Sequence, residues 1–174
     1  MNEMLILVDK NDKEIGFEEK EKCHLNPAKL HRAFSIFIFN RKNEMLVHKR
    51  STKKKTWPGF WTNACCSHPR KGETTDFAAK RRLKEELGFA TELKQISKFQ
   101  YDAKYDEKYG ENEFDYVFAG FYDGKVNADK NEIDEWKYVN LDALLKDMRN
   151  APEKYTPWFK IALPRVVDYI KKNN

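Results

Sequence analysis

Residues 61–73, WTNACCSHPRKGE, put two adjacent thiols, an imidazole two residues further on and a closing carboxylate into one short stretch. A thiol can act as nucleophile, acid or metal ligand, and histidine is the side chain whose proton moves most readily near neutral pH. Other groups of the same chemistry lie elsewhere. His24 and His31 flank CHLNPAKLH, where Pro27 argues against a simple pair seven residues apart on one helix. Glu111 and Glu113 in GENEFD are two apart, so on an extended segment both point to one face, and Asp115 continues the row. Taken singly, each residue has an ordinary reading: a buried cysteine, a polar histidine, a solvated acid. His48, inside LVHKR, and Cys23 keep that ordinary reading.

These residues need a framework. With 174 residues, 40% of them hydrophobic and 14% aromatic, the chain has the length of one domain and enough apolar material to bury a core. No repeat, low-complexity tract or linker divides it, so residues 1–174 read as a single domain. The alternating, aromatic-rich HRAFSIFIFN (31–40) and MLVHKR (45–50), joined by RKNE, predict a β-hairpin. DYVFAGFY (115–122), closed by Asp123-Gly124, and EWKYVNL (135–141) predict two more strands. TDFAAKRRLKEELG (75–88) carries apolar residues at 79, 83 and 87, Thr75 as a cap and Gly88 as a stop, which predicts a helix. LDALLKDMRN and WFKIALPRVVDYIKK predict a helical C-terminal end, kinked at Pro164. Strands with one helix inserted and helices following predict an α/β (α+β) fold, a mixed sheet covered by helices on both faces.

Charge narrows the function. Thirty-three basic against 28 acidic residues leave a net charge of +5, mild and spread along the chain, which favours a small anionic ligand over nucleic acid. HKRSTKKKTW (48–57) is basic, yet it lacks a basic helix or an RNA-binding signature. The opening MNEMLILVDKND has too short an apolar run for a signal peptide or a membrane span, and an odd count of three cysteines makes no disulfide framework. A cytoplasmic protein without a membrane or nucleic-acid partner is therefore expected; nothing in the sequence fixes its oligomeric state.

Glu73 and then Arg81-Arg82-Leu83-Lys84-Glu85-Glu86-Leu87-Gly88-Phe89 resemble the Nudix box, Gx5Ex7REUxEExGU, in which a loop and helix aim carboxylates at a cation holding a diphosphate. Two positions depart from it. Ser67 stands at the first glycine, and Arg82 replaces a glutamate that ligates metal in the hydrolases. Arg82 shares a helix face with Glu86 and can bind phosphate directly. Together with WPGFWTNACCSHP, CHLNPAKLHRAFS and YGENEFDYVF, these departures resemble the type 1 isopentenyl-diphosphate isomerases, over about Lys20 to Trp158.

That resemblance implies a Nudix fold and an isomerase of isoprenoid biosynthesis that interconverts isopentenyl and dimethylallyl diphosphate through a carbocation. It implies Cys66, Glu113 and Tyr101 as catalytic residues, and Lys20, Arg50, Lys54, Arg82 and Trp158 as substrate-binding ones. It further implies a transition-metal site of His24, His31, His68, Glu111 and Glu113, a donor set that suits Zn²⁺ or Mn²⁺. Mg²⁺ would be held by Glu86 and by the backbone carbonyl of Cys66. The resemblance leaves open which of Cys66 and Glu113 is acid and which is base. Two rivals follow from the same residues. A Nudix hydrolase is weakened by Arg82; a Cys/His metal-binding module is weakened by the lack of a second cysteine knuckle.

Overall fold

A computed structural model describes residues 3–173. Its elements run β1 (Met4–Val8), β2 (Glu14–Glu19), the four-residue α1 (Lys20–Cys23), β3 (His31–Phe39), β4 (Glu44–Arg50), β5 (Trp61–Thr62) and β6 (Cys65–Ser67). There follow α2 (Thr75–Leu87), β7 (Leu93–Lys104), β8 (Gly110–Phe121), β9 (Ile133–Asn140), α3 (Leu141–Asn150), a 3₁₀ turn (Pro152–Lys154) and α4 (Pro157–Asn173).

β3 is the hub, because HRAFSIFIF is apolar on both faces and must be covered on both. It pairs in parallel with β8 along its whole length, from His31 opposite Glu113 to Phe39 opposite Phe121. Its remaining pairings are shared in turn by β1 at His31, β6 at residues 34–36 and β4 at Phe39. β7 pairs antiparallel with β8, and β4 carries both β5 and β9. The sheet is mixed, as the sequence predicts.

Alternation along β3 sends its side chains to two cores. Phe34, Ile36 and Ile38 pack with Ala78, Ala79, Leu83 and Leu87 of α2. Phe37 and Phe39 pack on the opposite face with Phe159, Ala162, Leu163 and Val166 of α4 and with Leu144 of α3. Helices therefore cover both faces. Each fully buried Phe or Leu contributes about 2–3 kcal/mol of apolar transfer free energy, so the two-sided packing of β3 fixes the ends of the strand that carry the site.

The N-cap of α2 is Thr74 rather than Thr75: its hydroxyl accepts from the amide of Phe77 at 3.3 Å, and Thr75 is already helical. Two adjacent threonines look alike in sequence, and hydrogen-bond reach to the third residue on selects the first. Gly88 ends the helix at φ 76°, where an added Cβ would come within 2.9 Å of Asn127. α4 runs through Pro164 as one continuous helix from Pro157. Among the described residues, no helix is long and apolar enough to cross a membrane.

Candidate active site

A cavity of about 450 Å³ opens where the start of β3, β6, β7, β8 and the first turn of α4 meet. Three groups line it: His24, His68, Glu111 and Glu113; Ser35, Cys66, Tyr101 and Trp158; and Lys20, Arg50, Lys54 and Arg82. Of the residues the resemblance assigns to the site, His31 and Glu86 are absent from the wall. His31 is fully buried beneath it, and Glu86 is buried with its carboxylate on Arg82.

The parallel register of β3 and β8 builds the histidine end. It sets His31 beside Glu113, and the antiparallel register of β7 sets Tyr101 opposite Glu113. Glu111, two residues back, lies on the same face. His24 enters as the residue ending α1, and His68 follows β6. One ligand atom from each of His24, His31, His68, Glu111 and Glu113 falls within 4.8 Å of every other.

The Nδ1 atoms of His24 and His31 each lie 2.7 Å from a backbone carbonyl, of Lys20 and Lys29, which turns both Nε2 atoms toward the carboxylates. Such outer contacts are the usual way of aiming metal-binding imidazoles. Nε2 of His31 and Oε2 of Glu111 are buried without a hydrogen-bond partner, although His24 forms an ion pair with that Glu111 oxygen at 2.9 Å. Three imidazoles and two carboxylates, converging with orphaned lone pairs, fit one divalent cation.

Electrostatics divides the cluster. Burial opposes charge on His24, but Glu111 outweighs it and lifts the ring to about 9. Burial depresses His68 to about 3. Burial would raise Glu113, yet the His31 ring 3.5 Å away and the hydrogen bond to His68 hold its carboxyl well below the usual range. The Tyr101 hydroxyl donates to Glu113 Oε2 at 2.5 Å, and burial beside that charge keeps the phenol protonated.

Adjacent residues on β6 face opposite ways, which separates the two neighbouring cysteines. Cys65 points into the core under α2, beside Glu86. Cys66 points into the cavity, where its thiol donates to Asn63 Oδ1 at 3.0 Å and accepts from the Trp158 indole N–H at 3.0 Å. Burial, with Asp115 adding to it, pushes the Cys66 thiol up to about 12. Asp115 lies beyond Ser35, whose hydroxyl donates to it at 2.8 Å.

The cation end is built otherwise. Arg50 spends its guanidinium on the carbonyls of Trp57 and Thr56, at 3.1 and 2.9 Å, and stacks 5.2 Å over Trp158. Lys20 pairs with Glu3 at 2.9 Å and Lys54 with Glu132 at 2.5 Å. Arg82 reaches Glu85, Glu86 and Glu132 at 2.7, 2.5 and 3.1 Å. Glu73, at the box's first glutamate, is clamped instead by the Arg81 fork at 2.8 Å. His48 is buried with Nδ1 on the Ala64 carbonyl at 3.1 Å, an ordinary core histidine.

Three chemistries in one cavity, a metal-ready cluster, a protonated thiol and a group of cations, call for comparison with known proteins. The NUDIX domain family matches residues 29–159. The chain is similar to the isopentenyl-diphosphate Delta-isomerase of Serratia proteamaculans, with 45% identity over 159 residues covering 91% of this chain and 88% of that protein. It is similar to isopentenyl-diphosphate Delta-isomerase 1 of Bos taurus at 42% identity, covering 92% of this chain and 81% of that one.

The chain belongs to the isopentenyl-diphosphate Delta-isomerase family, on a Nudix fold.

Solved structures extend the fold alone. A MutT protein from Methanosarcina mazei superposes with a TM-score of 0.67 at 22% identity, covering 82% of this chain and 96% of that one. A MutT NUDIX hydrolase from Burkholderia pseudomallei does so at 0.64 and 21%, covering 79% and 98%. Sequence reasoning noted Asp115 in the acidic row, but passed over Ser35, the last residue of CHLNPAKLHRAFS, and Glu3 and Glu132, which sit outside every motif.

Proposed function

We propose that this isomerase moves the double bond between isopentenyl and dimethylallyl diphosphate by using Cys66 and Glu113 as its proton-handling pair. Isomerisation of the terminal alkene adds a proton at C4, leaves a tertiary cation at C3 and removes a proton from C2. Both steps need a buried group on the hydrocarbon. Cys66 holds a thiol proton, and Glu113 is a carboxylate with the Tyr101 hydroxyl on one oxygen and His68 on the other. One donates where the other accepts, and their roles exchange with the direction of reaction. Tyr101 steadies the Glu113 oxygen and can pass a proton to it. Well-placed acid–base groups of this kind supply about 10²–10⁴ in rate each.

Trp158 holds the Cys66 sulfur through its indole N–H and offers π density to the cation, worth about 2 kcal/mol when desolvated. Arg50 lies over that same ring, so the guanidinium also orients the indole. Lys20, Arg50, Lys54 and Arg82 bind the diphosphate, and in this reading they neutralise its charge within the same cavity.

Divalent metal use belongs to this family's site, and the five-residue cluster fits a Zn²⁺ or Mn²⁺ ion that would stabilise the Glu113 carboxylate. Mg²⁺ would be held by Glu86 and the Cys66 carbonyl, with the diphosphate supplying further oxygens. Residues 1–174 act as one domain on a small molecule, without nucleic acid or membrane. A cytoplasmic setting suits a catalytic thiol, since reduction keeps Cys66 free.

The observation that carries the reading is the convergence of the Cys66 thiol and the Glu113 carboxylate on one cavity that Lys20, Arg50, Lys54 and Arg82 also line. The test is incubation of isopentenyl diphosphate with the enzyme and Mg²⁺ in D₂O. Dimethylallyl diphosphate bearing solvent deuterium in a methyl group, with no phosphate released, is expected by NMR. Phosphate release with unlabelled carbons would instead indicate hydrolysis.

A further inference from the structure

The two cations Lys54 and Arg82 reach the cavity from different elements, the 51–56 loop and α2, and share one carboxylate. Glu132, the residue before β9, accepts from Lys54 Nζ at 2.5 Å on one oxygen and from Arg82 Nη2 at 3.1 Å on the other. Its backbone is fixed on both sides: its N–H donates to the Asp129 carbonyl at 3.0 Å, and its carbonyl accepts from the Ser51 amide at 2.9 Å. The Asp129 amide in turn donates to the Glu86 carbonyl of α2 at 2.8 Å.

Two more bonds stitch the same segments together. The Thr52 amide donates to Asp134 at 3.0 Å, and Lys53 Nζ to Asn131 at 2.8 Å. The segment before β9 is therefore a backing for the lysine loop and for α2 at once. Lys54 and Arg82 line the cavity, whereas Glu132 does not.

We propose that Glu132 is a positioning residue for the diphosphate site, a carboxylate that fixes the spacing of Lys54 and Arg82 so that both meet the same anion. This rests on the reading of those two cations as diphosphate ligands. Two like charges on long side chains repel and wander when nothing lies between them, and ordering them would then fall to the ligand. A carboxylate anchored by its own backbone does that ordering beforehand. It also carries a negative charge near an anion site, so two effects of opposite sign compete. Because Glu132 stands off the cavity wall while the cations line it, losing their alignment outweighs losing its repulsion. Lys54 keeps two ammonium protons and Arg82 keeps a buried, unpartnered Nε–H for the ligand.

The sign of the effect is the test. Glu132→Gln keeps the shape and removes the charge. Calorimetric titration with inorganic diphosphate and Mg²⁺ should show affinity weakened by about tenfold, which is about 1.4 kcal/mol. KM for isopentenyl diphosphate should rise in parallel, with kcat within about twofold of wild type and the content of the histidine-site metal unchanged. Tighter diphosphate binding would make Glu132 a repelling bystander and overturn the proposal, as would unchanged binding or a fall in kcat alone. If the glutamine variant does not fold, Glu132→Asp carries the test, because its shorter arm cannot reach both cations and should weaken diphosphate binding in a folded protein. The titration needs no turnover. A wild type that binds diphosphate but does not isomerise would refute the functional reading and leave this comparison intact.

Discussion

The histidine–carboxylate and the cationic groups that line the cavity are both crowded with charge, yet they are made differently. At the histidine end the five side chains are buried, two of the imidazoles are tied to backbone carbonyls, and every ligand atom lies within 4.8 Å of the rest. At the cation end the lysines are long and partly exposed, with side-chain exposures of 40% at Lys20 and 28% at Lys54. Lys20, Lys54 and Arg82 are held by carboxylates, Glu3, Glu132 and Glu86. The first end is a closed set of protein donors, suited to keeping an ion through many turnovers. The second is a set of exchangeable pairs, suited to a ligand that arrives and leaves. Cys66, Tyr101 and Trp158 line the same cavity, where charge must be created and removed on hydrocarbon.

The largest effect should come from the middle. Cys66→Ala is expected to lower turnover by at least about three orders of magnitude. Both ends should survive, with diphosphate binding by calorimetry and metal content near wild type. Cys65→Ala, on the other side of the same strand, should cost far less activity, since it removes only a buried thiol under α2. Equal losses from both variants would erase the distinction that β6 makes between them.

Next comes the contrast between the ends. One transition metal should stay with the protein through purification, whereas Mg²⁺ should have to be supplied in the buffer. His31→Ala should lose that metal and about tenfold to hundredfold in rate, as removal of an ordered contact at a metal site does. Elemental analysis finding no transition metal in fully active protein would refute the closed site. His31→Ala with full metal and full rate would remove His31 from it.

How far sequence reaches differs between these regions for physical reasons. The two strands of 31–50, the helix of 75–88 and the strand from 115 carry strong periodic signals because they are buried on one or both faces; but the predicted hairpin closes only at Phe39 and Met45, because β8 and β9 take the rest of the pairing. β7 was missed: LKQISKFQYDAK pairs with the sheet on one side, and only Phe99 and Tyr101 are buried, so polar residues mask its alternation. β2, EIGFEE, buries nothing fully and shows no alternating apolar pattern. In the site, the histidine end was legible through motif resemblance, because its five residues sit in short, distinctive runs. Glu3 and Glu132 were not. Their roles follow from long-range partners 17 and 78 residues away, and a lone glutamate gives no sign of such a partner.

The smallest effect concerns the pairs at the cation end and has a definite sign with pH. Burial would raise the Glu3 carboxyl, but Lys20 and then Arg70 outweigh it and hold it at about 2, below the 4.5 of an ordinary glutamate. A carboxyl depressed on folding stabilises the folded state only where the unfolded chain is also ionised, above about 4.5, and that contribution fades as pH falls toward 2. Glu3→Gln should therefore melt about 2–4 °C below wild type at pH 7, the size expected of a partly exposed pair worth about 1 kcal/mol. The gap should hold down to about pH 5 and close progressively below it, as wild type loses what the variant never had. It should also shrink in high salt, because both ends of the pair face water. The metal loss of His31→Ala should not ease with salt in this way, since the buried cluster is shielded from mobile ions. A Glu3→Gln gap that widened on acidification, or ignored salt, would show that Glu3 is held by packing instead of charge, and the contrast between a closed end and an exchangeable one would fail there first.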